Sequence, residues 1–345
     1  MGLRGFLLAA LALPVAAQDP EVQPPLVPVP FEKVRFTPGF WKQRLAKNRE
    51  TTVPLVLEQC EVTGRIANFD LAARGERKGH TGHSWDDADV YRSLEAVAHT
   101  LASKQDAALS GRADAIIERI AAAQDENGYL NTYVMVERPG ARWDDIKDGY
   151  ELFCAGHLIE AGIAYAQATG KRALLDVAIR LADHIDSTFG PEGRGDPPGH
   201  QEIELALAQL HAHTGEERYL RRAEYFLERR GERDERELWG PDYQDVLPVR
   251  RQFGVSGDAV RTMYQLCGMA DVYAATRDYG WLAPLINCWR DVTEKRMYVT
   301  GAVGNSAKTK GFTEPFDLPN ESAWCETCAS IGMAMWQQRM LLQTR

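Results

Sequence analysis

The chain has 345 residues, with 40 Lys+Arg against 49 Asp+Glu and a net charge of -9. Hydrophobic residues make up 44% and charged residues 26%, which excludes collagen-like, disordered and disulfide-dense classes and leaves a globular chain long enough for one large core. The acidic balance and the lack of a Lys/Arg cluster exclude a nucleic-acid partner bound by charge.

At the N-terminus, Arg4 precedes an apolar run from Phe6 to Leu13, and Val15 and Ala17 suit a cleavage site, so residues 1–17 read as a secretory signal peptide and the protein as secreted or periplasmic. That run is too short to cross a bilayer, and nothing later reaches the roughly 20 apolar residues a span needs. Export permits disulfides, but Cys60, Cys154, Cys267, Cys288, Cys325 and Cys328 are too sparse and irregular for a disulfide scaffold, so most are expected as buried thiols. Residues 18–36 form a Pro-rich leader (Pro24, Pro25, Pro28, Pro30) ending in an extended stretch, Phe31 to Phe36. A single helical domain is expected over 37–345.

The organising signal is a repeat. Ala168-Thr169-Gly170-Lys171 is followed by Leu174, Leu175 and Ala178, and 45 residues later His213-Thr214-Gly215-Glu216 is followed by Tyr219, Leu220 and Ala223. Thr276-Arg277-Asp278, with Trp281 and Leu282, is a weaker third copy. Before each turn the helix is apolar nearly all round; after it the helix is amphipathic, as in Leu174, Leu175, Ala178, Leu181, Ala182 and Ile185. The first kind is buried and the second coats it. Inner helices are expected at 88–102, 151–168, 201–213, 258–275 and 327–343, and outer ones at 106–123, 172–187, 216–230 and 279–295. The fold class is therefore all-α, an (α/α)6-type helical toroid. It reads as incomplete at the C-terminus, because Arg339 to Arg345 stop where a turn and another outer helix would follow.

Inner helices of a toroid run in parallel, so their N-terminal ends meet on one face. His157, His200, Glu202, Glu204, Asp258, Arg261 and Glu326 all lie at or near those ends. Carboxylates, imidazoles and aromatic rings at one rim suit carbohydrate, whose hydroxyls need polar partners and whose ring faces stack. With Arg261 as the main base among these carboxylates, the rim predicts a neutral sugar. Each residue singly is also what a helix cap or a satisfied buried group looks like; their coincidence on one rim points to a site. The segment from Tyr298 to Ala329 breaks the helical pattern as a long loop feeding the last inner helix, and loops of that length in compact domains carry function. Its Cys325-x-x-Cys328 reads as a disulfide, half of a metal site, or two buried thiols.

Gly-His-Leu-Ile-Glu-Ala at 156–161, Gly-His-Gln-Glu-Ile-Glu-Leu-Ala-Leu at 199–207, Met297 to Gly301, and Asp317-Leu318-Pro319-Asn320 with Glu326-Thr327-Cys328 resemble glycoside hydrolase family 127, from about residue 33 to the C-terminus. The resemblance implies a β-L-arabinofuranosidase-like retaining hydrolase of plant-type glycans, an (α/α)6 barrel followed by β-sandwich domains, and zinc holding a nucleophilic cysteine thiolate. It makes Glu326 and Cys328 two of the zinc ligands and His200 a substrate-binding histidine. Other positions depart from the pattern. Lys310 stands where the family carries its acid/base Glu, Tyr150 and Asp258 stand where it carries histidines, and the nucleophilic cysteine with its neighbouring ligand matches nothing in these residues. Glu314 is the candidate substitute for the acid. The site expected from sequence is thus Lys310 or Glu314 for catalysis, Tyr150, His157, His200 and Asp258 for substrate, and a partial zinc site at Glu326 and Cys328. Three readings stand open: a family 127-like hydrolase, inactive as this chain; a non-catalytic sugar-binding relative; and a metal-independent (α/α)-barrel sugar epimerase or lyase.

Overall fold

A computed structural model describes residues 26–233 and 236–344. The expected signal peptide lies outside the described residues. Among the described residues, thirteen α-helices carry the fold: α1 (Phe40–Lys47), α2 (Val53–Val62), α3 (Ala67–Ala73), α4 (Asp87–Ser103), α5 (Ala107–Ala123), α6 (Thr132–Glu137), α7 (Glu151–Thr169), α8 (Ala173–Thr188), α9 (Ile203–Thr214), α10 (Glu217–Arg229), α11 (Ala259–Thr276), α12 (Tyr279–Lys295) and α13 (Thr327–Gln343). A two-stranded antiparallel ladder, β1 (Gly257–Asp258) with β2 (Gly311–Phe312), pairs Asp258 with Gly311.

The inner helices α4, α7, α9, α11 and α13 pack each on the next, and α5, α8, α10 and α12 coat them. All nine begin and end within two residues of the positions expected from the repeat. The repeat has a physical basis in its Thr. The Thr169, Thr214 and Thr276 hydroxyls each donate to the carbonyl four residues back, at 2.6, 2.7 and 2.9 Å. Each also accepts the N–H two residues on, at 3.2 Å in all three turns. The residue between sits in the left-handed region, Gly170 at φ 75° and Gly215 at φ 78°. Arg277, at φ 56°, does the same without a glycine's freedom, which is why the third copy looked weak in sequence.

The N-terminal stretch is a correction. Phe31–Lys33 form a 3₁₀ turn rather than extended backbone, with Lys33 N–H donating to Pro30 O at 2.9 Å and the Phe31 ring edge-on to His99 at 4.6 Å. A lone alternating stretch has no neighbouring strand to pair with, so local turn bonds decide its shape. The loop from Tyr298 to Glu326 is coil apart from β2, as expected, and is braced internally. Buried Asn305 donates through Nδ2 to Asp317 O at 2.6 Å and accepts Thr313 N–H at 3.1 Å, while Thr313 Oγ1 donates to Asp317 Oδ2 at 2.6 Å. The Tyr298 hydroxyl donates to Pro319 O at 3.0 Å.

Candidate active site

A cavity of about 370 Å³ opens at the N-terminal ends of the inner helices, lined by residues from α4, α7, α11 and α13, from the segment that leads into α9 and from the long loop. Its polar lining is Arg92, His200, Asp258, Arg261, Lys310, Glu326 and Cys328, and its aromatic lining Trp85, Tyr150, Phe153 and Tyr264. A second space, about 490 Å³ between α2 and α4, is lined by none of the candidate catalytic, substrate or metal residues read from sequence.

Backbone contacts place these groups. At Gly199 a Cβ would lie 1.8 Å from Lys147 O, so only glycine lets the chain press against that loop and turn His200 into the cavity. Tyr150 holds a left-handed conformation at φ 61° where α7 begins, with its ring edge-on to Trp85 at 5.1 Å. Trp85 is backed by a stacked His83 at 4.4 Å and leaves an exposed face for a ligand ring. Asp258 caps α11 by accepting Arg261 N–H at 3.0 Å. Lys310, left-handed at φ 52°, accepts Ala259 N–H on its carbonyl at 3.2 Å, so the ladder sets it beside Asp258. Cys325, left-handed at φ 41°, donates its N–H to Gly304 O at 2.7 Å and starts α13 with Glu326 and Cys328 at the rim.

The electrostatics differ from group to group. Burial, reinforced by the positive charges of Arg261 and its neighbours, holds His200 well below the ordinary histidine range, so it presents a neutral imidazole. Burial, with the Glu326 charge adding to it, raises Asp258, against the Arg261 N–H it accepts. Arg92 is paired with Asp89 at 2.6 Å, and Arg261 lies over the Tyr243 ring at 4.4 Å.

Four sequence expectations need correction. Glu314 is exposed and does not line the cavity, so it stands away from Lys310 rather than substituting for it. His157 is buried beneath the floor rather than facing ligand, its ring edge-on to Phe153 at 4.6 Å. Glu202 and Glu204 are also buried: Glu204 pairs with buried Arg230 at 3.1 Å, the capping-and-bracing alternative realised. With those carboxylates removed and Arg92 and Lys310 added, the lining has three basic side chains against two acidic ones, and the charge argument for a neutral sugar loses its footing. Sequence reasoning missed Trp85, Arg92, Phe153 and Tyr264. Tyr264 lies three residues after Arg261, one helical turn along the same face, so helical spacing from a rim residue was the signal available.

All six cysteines are free thiols, Cys328 exposed and Cys325 half-buried. Zinc in a structural site takes four ligands. Glu326 and Cys328 supply two, and among the described residues no third His, Cys, Asp or Glu completes a ligand group around them. By themselves they do not make a zinc site.

The family model described as "Beta-L-arabinofuranosidase, GH127 catalytic domain" matches residues 33–345. The chain belongs to glycoside hydrolase family 127. It is 35% identical to a non-reducing end beta-L-arabinofuranosidase of Bifidobacterium longum, over 89% of this chain and 53% of that protein. Among solved structures of family 127, the beta-L-arabinofuranosidase from Geobacillus stearothermophilus T6 superposes with a TM-score of 0.86 at 40% identity, covering 90% of this chain and 53% of that one. A second family 127 beta-arabinofuranosidase gives 0.87 at 37% identity, covering 92% and 51%. The chain thus spans about half the length of these relatives.

Proposed function

We propose that this chain is the sugar-binding barrel of a β-L-arabinofuranosidase-type glycoside hydrolase acting on plant-type glycans, and that as it stands it binds the terminal sugar without cleaving it. The observation that carries this is the meeting of His200 from one family motif with Glu326 and Cys328 from another, in one cavity with Trp85 and Tyr150. A neutral imidazole and the rim carboxylates Asp258 and Glu326 suit hydroxyl groups, and the exposed Trp85 face suits an apolar sugar ring. Retaining cleavage needs a proton donor and a nucleophile on opposite faces of the anomeric carbon. Lys310 at the family's acid/base position removes the carboxylic acid there, and Glu326 with Cys328 hold zinc weakly at most. Export of the protein, as the leader implies, belongs to the same proposal.

The test is a tryptophan-fluorescence titration with methyl β-L-arabinofuranoside beside a hydrolysis assay on the aryl glycoside. Saturable binding that Trp85→Ala weakens roughly tenfold, the loss of one stacked ring, with no turnover, is expected. Turnover by this chain would overturn the inert reading. Failure of any pentose or hexose to bind would overturn the sugar site.

A further inference from the structure

Beneath the cavity floor lies a second group of donors that the sugar site does not use. His157 and Glu160 stand one turn apart on α7, and Glu202 enters from the segment that starts α9. His157 Nδ1 is 3.2 Å from Glu202 Oε1 and 3.6 Å from Glu160 Oε2, and the three donors lie within 4.8 Å of one another. Side-chain exposure is 3% for His157, 10% for Glu160 and nil for Glu202. Neither ring nitrogen of His157 and neither carboxylate oxygen of Glu202 makes a well-angled hydrogen bond, apart from a carboxyl–carboxyl contact between Glu202 and Glu160. Buried polar atoms are rarely left so, and four on two facing side chains mark a place where something is held.

We propose that His157, Glu160 and Glu202 form a binding site for a divalent transition-metal ion inside the helical ring, one layer below the cavity and separate from Glu326 and Cys328. The nearest pair, His157 and Glu202 at 3.2 Å, has the spacing of two donors on one ion. Donors at about 2.1 Å from a common metal stand roughly 3.0–3.4 Å from one another in tetrahedral or octahedral arrangements. A charge-assisted hydrogen bond would draw the same atoms to about 2.7–2.9 Å. The surroundings are shaped for it as well. A Cβ at Gly156 would lie 2.4 Å from Glu202 Cγ, so glycine there lets the Glu202 side chain lie across α7. Glu160 keeps its other oxygen on Gln209 Nε2 at 3.1 Å, which fixes its orientation as outer hydrogen bonds do for metal-ligating carboxylates. The nearby cation Arg339 is engaged by Asp271 at 2.8 Å, so an imidazole and two carboxylates leave a charge of two for the ion to balance. One imidazole and two carboxylates suit zinc, manganese or iron, and the bound ion would tie α7 to the segment that carries His200.

The full chain is expressed in medium supplemented separately with zinc, manganese and cobalt, so that the ion is present while the interior closes, and metal content is measured by mass spectrometry. One equivalent per chain is expected. It should be lost in His157→Gln and in the near-isosteric Glu202→Gln, each checked for native helicity, and kept in Cys328→Ser. Affinity in those two variants should fall by more than the roughly 100-fold that loss of an outer hydrogen-bond partner costs a metal site. The cobalt form should show d–d absorption without a thiolate charge-transfer band. Two results would overturn the site: no metal in the wild type under any supplement, which leaves the two carboxyls sharing a proton, or metal that Cys328→Ser removes and His157→Gln does not.

Discussion

Arg230 is a guanidinium with no exposure, held by Glu204 and by backbone carbonyls. Besides Glu204 it donates to Tyr243 O at 2.8 Å and Pro198 O at 2.7 Å, tying the end of α10 to the loops that flank the cavity. Removing one member of such a pair leaves an unpaired buried charge, so Arg230→Met is expected to cost about 3–5 kcal/mol. In urea unfolding, the double variant with Glu204→Gln should regain part of that loss, and equal losses for single and double variants would show that the pair is not coupled. Sequence alone could place Glu204 near the rim but not on a side: its charge is the same whether it faces a ligand or an arginine from another helix. Lys310 shows the opposite case. Its departure from the family pattern was legible residue by residue, while its position beside Asp258 depended on a two-residue ladder that has no sequence signature.

At the scale of the helices, the three Thr turns allow a direct test. Arg277 takes the conformation that glycine occupies in the other two, and a non-glycine residue there carries a cost of order 1 kcal/mol. Arg277→Gly should therefore raise stability by about that amount less the exposed bond to Gln343, and Gly170→Ala should lower it; melting curves of the two variants moving the same way would contradict this. Helix starts carry a pH dependence. Burial pushes Asp87, at the head of α4, up to about 6 even though it accepts the Thr132 N–H and hydroxyl. It pushes Glu151, at the head of α7, up to about 7 even though it accepts the Tyr129 hydroxyl. Both folded-state values lie above the unfolded ones, so the native state holds more protons and stability falls as pH rises from about 4 to 7. Glu151→Gln should flatten the upper part of that decline, worth about 3 kcal/mol at most, when urea midpoints are compared at pH 5 and 7.5.

Over the whole molecule, the toroid was readable because each hairpin repeats the same turn chemistry and the same contrast between an all-apolar and a one-sided helix. The short helices α2, α3 and α6 and the 3₁₀ turn at Phe31 were not, since three to ten residues give too little periodicity to separate helix from loop. Helix α13 carries the apolar side chains Ile331, Met335 and Met340. Only Ile331 is exposed there: Met340 is buried and Met335 half-buried, because α11 packs against that flank. With Leu341 also exposed, α13 presents two separate apolar side chains to solvent, and the protein should associate with rising concentration in light scattering. Ile331→Lys with Leu341→Lys should suppress this without lowering the melting temperature. The ladder between β1 and β2 has one more consequence. A Cβ at Gly311 would lie 1.7 Å from Gly257 O, so the two strands meet backbone to backbone with no side chain between them. The long loop is thereby stitched to the head of α11 near its middle, while its far end runs directly into α13. Swinging it aside would break those stitches together, so a sugar bound as proposed would exchange through the open mouth of the ring at a rate set by diffusion and desolvation, and the amide hydrogen of Ala259, which donates to Lys310 O, should exchange with solvent as slowly in the empty protein as in the occupied one.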